Sequence, residues 1–308
     1  MFTSQRRKNR IFKEDAPIPQ KVECVKVKAE LAFTKMSGAG NDFVVIDNRR
    51  LSLKYNWSDL AKSICRRRLG VGADGLIIID VSSQSQFLMR YYNADGSSGG
   101  MCGNGGRCVA MYVMQQDGSS TVRFEALDYI YEASRQGSAV SLRMKNPTRF
   151  RFGVLVTVGE RRIKVDSVDT GAPHTVVFLD DVPVALRREL EEHGIIAAGK
   201  AIRNDVAFLP GGTNADFVRL LQGSRISMRT YERGVEDETL ACGTGAIASA
   251  ILASRRYGLQ SPVEVQTRGG EILSVAFEGS DDLFSNIELR GSAAIVFEGR
   301  IDVGALQD

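Results

Sequence analysis

The stretch "FLMRYYNADGSSGGMCGNGGRCVAMYVM" occupies residues 87–114, and "ISMRTYERGVEDETLACGTGAIASAIL" occupies residues 226–252. Each begins with an apolar run that contains Met-Arg, passes through a polar loop, and then has Cys-Gly-polar-Gly before a second apolar segment. The first run is typical of a β-strand, and the segment after the glycines has the spacing of a helix. The repeat therefore predicts two similar halves, each a sheet wrapped around one helix that begins at glycines.

Short β-rich runs bounded by Gly, Asp, Asn and Ser dominate the rest of the chain and predict strands. They lie at 42–48, 75–81, 87–93, 121–127, 139–145, 174–179, 214–221, 225–232, 262–268, 271–278 and 293–302. Helical spacing occurs in fewer places, at 57–70, 108–118, 185–190 and 246–258. We therefore predict an α+β fold of two pseudosymmetric domains, each a mostly antiparallel sheet around a central helix.

The length of 308 residues suffices for two domains of ordinary size. With the boundary near residue 145, we assign residues 31–145 plus 290–308 to the N-terminal half and 146–289 to the C-terminal half. The first thirteen residues contain five Arg and Lys and no acidic residue. No apolar core of a signal peptide follows them, so we predict that residues 1–30 form a flexible basic leader.

Charge and cysteine usage limit the classes of partner and compartment. The 40 basic and 37 acidic residues are interspersed and leave a net charge of only +3, so we expect no nucleic-acid partner. No run of about 18 apolar residues occurs, so we expect no membrane partner. The 5 cysteines are odd in number and scattered without a secretory signal, which predicts reduced thiols in the cytoplasm.

The common cofactor-binding and metal-binding motifs do not explain the glycine-rich stretches of this sequence. "GVGADG" at 70–75 matches the dinucleotide pattern, but a predicted helix precedes it and a strand follows, which is the reverse of that motif. A zinc site needs four close ligands, whereas the chain has 2 histidines and Cys102 lies six positions from Cys108. A C-x-x-C redox pair is absent as well. The sequence therefore predicts neither a cofactor nor a metal.

Cys102 and Cys242 are each predicted to lie at the first turn of a helix. There the helix dipole and free N–H groups stabilise a thiolate, so the sequence predicts a thiol pKa lowered from about 8.5 towards neutrality. The same kind of N–H group forms an anion nest that fits a carboxylate. The residues that would contribute these N–H groups are Gly103, Asn104, Gly243 and Thr244.

Two interpretations of the paired cysteines remain at this point. A packed helix start that favours small residues explains either cysteine alone. Two reactive thiols, one from each half and facing each other across a cleft, explain the repeat and would act as acid and base on opposite faces of one carbon. Cys65 and Cys108 differ from them, because each has helical spacing among apolar residues and is predicted to belong to the core.

A set of motifs in a fixed order resembles the diaminopimelate epimerase family from about Phe33 to the C-terminus. The motifs are "FTKMSGAGNDFVVIDN", "GVGADGLI", "YYNADGSSGGMCGNGGRC", "GAPH", "TNADFV", "YERG" and "LACGTGA". The resemblance implies two barrel-like domains and a cofactor-independent epimerase that converts LL-diaminopimelate to meso-diaminopimelate. It also implies a small amino-acid substrate, lysine and peptidoglycan precursor synthesis, and a homodimer.

The resemblance also implies roles for individual residues. Cys102 and Cys242 would be the two catalytic bases, one removing the α-proton as thiolate while the other reprotonates as thiol. The implied substrate contacts are Asn41, Asn93, Gly103, Asn104, Asn214, Glu232, Arg233, Gly243 and Thr244. Their chemistry fits, because Arg233 offers a donor fork for a distal carboxylate. Asparagine and glutamate side chains offer acceptors for ammonium groups.

Some positions depart from the commonest family pattern. Ala172 stands where many members have asparagine, the loop between Glu232 and Cys242 is one residue longer, "TRGG" replaces Pro-Gly-Gly, and Gly75 stands where some relatives have a substrate-contacting glutamine. These departures keep two alternatives open, another amino-acid racemase of the same fold (proline or histidine type) and an inactive binding homologue. His174 either assists thiol deprotonation or orients its loop.

Overall fold

The computed structural model describes residues 30–306, so the predicted basic leader lies outside the described residues apart from Glu30, which begins the first strand. The strands are β1 Glu30–Gly38, β2 Asn41–Asp47, β3 Gly75–Asp80, β4 Phe87–Asn93, β5 Thr121–Ala126, β6 Tyr129–Gln136, β7 Ala139–Arg143, β8 Thr148–Val158, β9 Arg161–Asp169, β10 Pro173–Phe178, β11 Asn214–Leu220, β12 Arg225–Glu232, β13 Asp237–Thr239, β14 Val263–Gln266, β15 Ile272–Glu278, β16 Ser285–Ser292 and β17 Ala294–Asp302. The α-helices are α1 Trp57–Ile64, α2 Gly103–Asp117, α3 Val184–His193, α4 Ile196–Arg203 and α5 Gly243–Tyr257. Two short 3₁₀ turns lie at Val206–Phe208 and Val303–Leu306.

The strand pairings of the two halves follow one pattern. From β1 through β7, successive neighbours pair antiparallel, parallel, antiparallel, parallel, antiparallel and antiparallel. The strands β9, β10, β11, β12, β14, β15 and β16 repeat this sequence of pairings in the same order. The internal repeat seen in the sequence is therefore a repeat of the whole sheet topology, not of two local motifs.

Two further connections join the halves. β7 and β16, which hold equivalent places in the two patterns, pair antiparallel with each other. β17 follows β16 in the chain but pairs with β1, while β8 follows β7 but pairs with β9. β8 therefore joins the sheet of the second half, and β17 joins the sheet of the first half. The exact residue ranges of the two halves stay a prediction.

A long helix occupies the centre of each half. α2 and α5 each have 15 residues, each follows a cysteine in extended conformation, and each ends at a glycine with left-handed φ, Gly118 at 70° and Gly258 at 72°. Only glycine adopts that conformation without strain. Both helices are apolar on nearly all sides because sheet surrounds them. The predicted α+β fold with two pseudosymmetric, mostly antiparallel halves around central helices is confirmed.

Shorter helices cover the outer faces of the sheets. Leu60, Ala61 and Ile64 of α1 pack on Val44 and Ile78 from outside, whereas alternate residues of the same strands face α2. Strands covered on both faces carry continuous apolar runs, as "FVVI" and "LIII" do here. α3 and α4 cover the second half in the same way. The α4 helix was not predicted, because "IIAAGKAIRN" was not recognised as a helical run.

A search of the described helices for a membrane span was negative, since none combines the required length with the required hydrophobicity.

Candidate active site

A cavity of about 190 Å³ lies where the two halves meet, at the N-termini of α2 and α5. All eleven residues that the sequence nominated as catalytic or substrate-binding line it, namely Asn41, Asn93, Cys102, Gly103, Asn104, Asn214, Glu232, Arg233, Cys242, Gly243 and Thr244. It continues into a larger cavity of about 550 Å³ that shares Asn41, Cys102 and Glu232. Residues far apart in sequence are therefore gathered around one small space.

The topology explains this gathering. Asn41 and Asn214 are the first residues of β2 and β11, while Asn93 and Glu232 are the last residues of β4 and β12. β3 pairs antiparallel with β4, and β11 with β12, so a strand that begins at one sheet edge lies beside one that ends there. These four polar side chains therefore come to the same edge of the sheets, beside the central helix starts.

The two helix starts touch each other. A Cβ atom added to Gly103 would lie 3.9 Å from the Cα of Gly243, and one added to Gly243 would lie 3.6 Å from the Cα of Gly103. Both added atoms would also meet the side chain of Leu289, at 3.0 and 2.9 Å. Glycine at these two positions therefore lets the two sets of unpaired helix N–H groups converge on the cavity.

Cys102 caps α2 with its sulfur, because the backbone N–H of Gly105 donates to Sγ at an N···S distance of 3.4 Å. Burial nevertheless raises the pKa of this thiol to about 11; the Gly105 N–H opposes the rise and the charge of Glu232 adds to it. The sequence predicted a lowered pKa, and that prediction was wrong. Removal of the sulfur from water outweighs the helix N–H groups.

Cys242 is buried, with 6% of its surface exposed, whereas the surface of Cys102 is partly exposed. Its Sγ lies 3.5 Å from Oγ1 of Thr244. Burial raises the pKa of Cys242 well above its ordinary value, and the negative charges of Glu232 and Asp216 raise it further. The predicted lowering is wrong here for the same reason as at Cys102.

A hydrogen-bonded chain leads away from Cys242 into the protein. Oγ1 of Thr244 lies 2.9 Å from Nε2 of His174, and Nδ1 of His174 lies 2.7 Å from Oδ2 of Asp216. The side chains of His174 and Asp216 are completely buried. A Cβ on Gly245 would come within 2.6 Å of Oδ1 of Asp216, so this glycine makes room for the pair beside the first turn of α5. There the helix dipole favours the carboxylate.

Neighbouring groups define the tautomer of His174. The backbone N–H of Arg233 donates to Oδ1 of Asn214 at 2.7 Å, which turns the amide nitrogen of Asn214 towards the carbonyl of Pro173 and Nε2 of His174, at 3.1 and 3.3 Å. A nitrogen that faces this NH₂ group accepts, so Nε2 of His174 carries the lone pair. Nδ1 then carries the proton and donates to Asp216. His174 is thus arranged as a proton acceptor aimed at Thr244.

On the α2 side, amide groups form a second chain. Nδ2 of Asn104 donates to Oδ1 of Asn41 at 2.6 Å, and Nδ2 of Asn41 donates to Oδ2 of Asp74 at 3.0 Å. Arg67 bridges Asp74 and Asp42. Burial would raise the pKa of Asp42, but hydrogen bonds from Arg67 and a lysine lower it to about 2. The two asparagines are therefore held by the carboxylate of Asp74, which in turn pairs with Arg67.

Glu232 and Arg233 offer opposite charges at the cavity. Burial raises the pKa of Glu232. The guanidinium of Arg233 is exposed, and Nη1 donates to the carbonyl of Gly211 at 3.2 Å. Within residues 30–306 it makes no ion pair, so its remaining donors are free for an anionic ligand. The same residues contain no cluster of three or more His, Cys, Asp and Glu that fits a metal ion.

The sequence profile of the family described as "Diaminopimelate epimerase" matches residues 33–148 and 167–288. The chain belongs to the diaminopimelate epimerase family. A diaminopimelate epimerase from Chlorobaculum tepidum is 39% identical over 271 residues, which cover 86% of this chain and 99% of the relative. One from Aquifex aeolicus is 40% identical over 291 residues, covering 90% of this chain and all of the relative.

Solved structures outside the diaminopimelate epimerase family share the fold. A probable proline racemase from Agrobacterium radiobacter has a TM-score of 0.66 at 13% identity, covering 88% of this chain and 92% of that chain. A phenazine biosynthesis protein of the PhzF family from Bacillus anthracis has a TM-score of 0.64 at 12% identity, covering 88% of this chain and 99% of that chain. At this identity the likeness is one of fold.

Tyr91 is a cavity residue that the diaminopimelate epimerase motifs did not predict. Its ring lies against Gly75 and Gly99, because a Cβ on either glycine would fall 2.4 and 2.2 Å from ring atoms. Tyr91 lines the cavity together with Cys102, and burial raises the pKa of its hydroxyl. The ring therefore fills the space above Gly75, where some relatives carry glutamine. Glycine at positions 75 and 99 is the feature of the sequence that could have indicated a large side chain next to these positions.

The alanine that departs from the diaminopimelate epimerase pattern lies in the cavity. Ala172 and Gly171 both contribute to its wall. A methyl group there supplies no hydrogen bond, so the ligand contact that an asparagine would make is absent at this point of the wall.

Asp216 was also missed, although it stands inside the quoted motif "TNADFV". Cys65 and Cys108, by contrast, are buried at 3% and 0% exposure, as their helical spacing predicts.

Proposed function

We propose that this protein converts LL-diaminopimelate to meso-diaminopimelate by a two-base mechanism without a cofactor, with Cys102 and Cys242 as the bases. The observation that carries the proposal is that both cysteines line one cavity, each as the residue before a central helix, where Gly103 and Gly243 meet. Bases supplied by two separate halves reach a bound α-carbon from opposite sides. Inversion at that carbon requires this arrangement.

The same site would bind the substrate by its charged ends. The converging N–H groups at the two helix starts accept the reacting α-carboxylate and stabilise the negative charge that develops as the α-proton leaves. Glu232 and the asparagines provide acceptors for an ammonium group. The free donors of Arg233 fit the distal carboxylate, which distinguishes a substrate with two amino-acid ends.

The chain from Cys242 to Asp216 gives that thiol a proton acceptor. The thiol proton passes to Oγ1 of Thr244 while the Thr244 hydroxyl proton passes to Nε2 of His174. The products are a thiolate and an imidazolium that lies beside the Asp216 carboxylate. The reverse transfer returns the proton to sulfur, so Cys242 serves as base in one direction of the reaction and as acid in the other. His174 thus assists thiol deprotonation in this proposal.

The raised thiol pKa values suit the chemistry. An α-proton of an amino acid is very weakly acidic, and a thiolate of high pKa is the stronger base. Closure of the site by substrate also removes water, which strengthens the attraction between each thiolate and the ammonium group of the substrate. The dry environment that raises the thiol pKa values therefore favours proton abstraction by a thiolate once a cationic group is bound.

The test is to incubate the purified protein under reducing conditions with LL-diaminopimelate, L-proline, trans-4-hydroxy-L-proline or L-histidine and to follow stereoisomers by chiral chromatography. We expect meso-diaminopimelate from the first and no inversion of the others. Inversion of another amino acid alone would select the racemase alternative, which Ala172 keeps open. Absence of turnover with every substrate would select an inactive binding homologue.

We also propose a cytoplasmic location, a homodimer, and a role in lysine and peptidoglycan precursor synthesis. The scattered cysteines, of which the four within residues 30–306 form no disulfide, support a reducing compartment. Within the described residues β17 pairs only with β1, so its other edge is free, and Val296 and Phe297 on it are about half exposed, at 57% and 47%. A free edge with apolar side chains supports association with a second copy of the chain.

A further inference from the structure

Arg107 is a cation buried in the core of the first half. Its side chain is completely excluded from solvent. Nη2 donates to Oδ1 of Asn104 at 2.9 Å, Nη1 donates to the carbonyl of Gly103 at 3.4 Å, and Nε has no partner. Within residues 30–306 no carboxylate lies within ion-pair distance of the guanidinium, and Glu271 is the acidic residue whose charge acts on it from farther away. A fully buried arginine is nearly always paired with an anion, so this one is unusual.

The positive charge of Arg107 lies at an unfavourable position in the protein. The side chain turns back along α2 towards its N-terminus, where the helix already presents positive partial charge. Burial in addition lowers the pKa of the guanidinium. Both effects are relieved when an anion occupies the N-terminus of α2, because the anion is attracted by the helix N–H groups and by the guanidinium together.

The equivalent place on α5 has no charge. Arg107 stands five residues after Cys102, and Ile247 stands five residues after Cys242. Ile247 is packed in the apolar core. On the first half the cation has space because residue 291 is glycine: a Cβ there would lie 3.1 Å from Nε and Nη2 of Arg107. The two thiols therefore differ in the group that lies behind them. Cys102 has the guanidinium of Arg107, whereas Cys242 has the imidazole of His174, which it reaches through Thr244.

We propose that Arg107 is a positioning residue for the α2 half of the site: it fixes the amide of Asn104 and places a permanent positive charge behind an anion held at Cys102. The hydrogen bond from Nη2 makes Oδ1 of Asn104 an acceptor, which leaves its NH₂ group to donate to Asn41. This inference rests on the proposed two-base function for its catalytic meaning, but not for its charge effect on Cys102.

Five groups besides Arg107 define the electrostatics at Cys102. The Glu232 carboxylate faces it from β12 and opposes a thiolate, whereas the N–H groups of Asn104 and Gly105 and the charge of Arg107 favour one. The Tyr91 hydroxyl from β4 and the Cys108 thiol on α2 stay neutral, since burial raises the pKa of each. Arg107 is therefore the one permanently positive side chain among the charged groups named here, and its removal has a defined sign.

The test measures site-resolved alkylation by iodoacetamide as a function of pH, by peptide mapping of the full chain. In Arg107→Met, which keeps the length of the side chain but not the charge, we expect the alkylation midpoint of Cys102 to rise by about one pH unit or more. The midpoint of Cys242 is expected to stay unchanged. Arg107→Lys keeps the charge and should leave the Cys102 midpoint near that of the wild type.

Ile247→Met is the matched control, because it introduces the same side chain at the equivalent position of α5. It is expected to leave both midpoints unchanged. Equal midpoints for Cys102 in wild type and folded Arg107→Met, checked by circular dichroism, would overturn the proposal. Equal upward shifts of both cysteines would also overturn it, since they indicate general loosening of the core instead of a local charge.

The positioning part is tested by steady-state kinetics of Arg107→Lys. The lysine restores charge but lacks the fork that holds Asn104, so we expect kcat to fall by about tenfold or more with little change in the Cys102 midpoint. Unchanged kcat would overturn this part. Alkylation needs no turnover, so a failure of the proposed epimerase activity and a failure of the charge effect give separate results.

Discussion

Replacing Cys102 by alanine is expected to lower kcat for epimerisation by at least about 10²- to 10⁴-fold, and Cys242→Ala is expected to do the same. Each change removes one of the two groups that must act on opposite faces of the α-carbon. The loss is measured by polarimetry or chiral chromatography of the conversion of LL- to meso-diaminopimelate. Either variant with activity near that of the wild type would contradict the two-base assignment.

The exchange of α-protons with deuterated solvent separates the two cysteine variants. A variant that keeps only one of the two cysteines can still remove the α-proton from the stereoisomer whose α-proton points towards that thiolate. The same thiol then returns deuterium to the same face of the carbon. Each single variant is therefore expected to exchange one stereoisomer without inverting it, and the two variants are expected to exchange opposite ones. Cys65→Ala is the control for loss of a thiol, since Cys65 lies in the core under α1.

Asp216→Asn is expected to lower kcat by about a hundredfold. The asparagine keeps the shape of the aspartate but removes the charge that stabilises a protonated His174. Cys242 then loses its proton acceptor, while Cys102 keeps its own surroundings. Exchange that depends on Cys242 is therefore expected to fall, whereas exchange that depends on Cys102 is expected to persist, as followed by mass spectrometry of each stereoisomer in deuterated water.

Asp166→Asn is the matched control for Asp216→Asn. Asp166 is another buried aspartate, which accepts from the backbone of Gly153 and pairs with Arg256, and it does not line the active-site cavity. Both variants are expected to lose some stability in denaturant titrations, but only Asp216→Asn is expected to lose activity. Equal loss of exchange at both cysteines in Asp216→Asn would contradict the role of the chain from Cys242 to Asp216.

Much of the architecture was visible in the sequence because the local signals agreed with the fold. The strands Phe87–Asn93 and Arg225–Glu232 were predicted with the bounds that they have, since alternating apolar runs end there at polar residues. The helix starts after Cys102 and Cys242 followed from their glycines. The strand β8 was missed although apolar residues stand at every second position from Phe150 to Val158, because the run was not recognised; Gly153 and two register shifts interrupt its regularity.

The motifs predicted which residues line the cavity, but they did not predict the pKa shifts of the two thiols or the roles of the buried charged residues. The sign of the thiol pKa shift depends on how much water the surrounding sheets exclude, and the helix start alone does not reveal this. Asp216 and Arg107 stood inside recognised motifs without an assigned role. Their importance comes from complete burial and from partners on a neighbouring strand or one helical turn back, which only the folded chain brings together.

The central claim is that Cys102 and Cys242 act on one carbon from opposite faces, and the most direct measurement follows wild-type protein with LL-diaminopimelate in deuterated water at low conversion. We expect the meso product to carry deuterium at the inverted α-carbon while the recovered substrate still carries protium, because different thiols remove and return the proton. Product that retains protium, or substrate and product that gain deuterium at equal rates, would contradict the account.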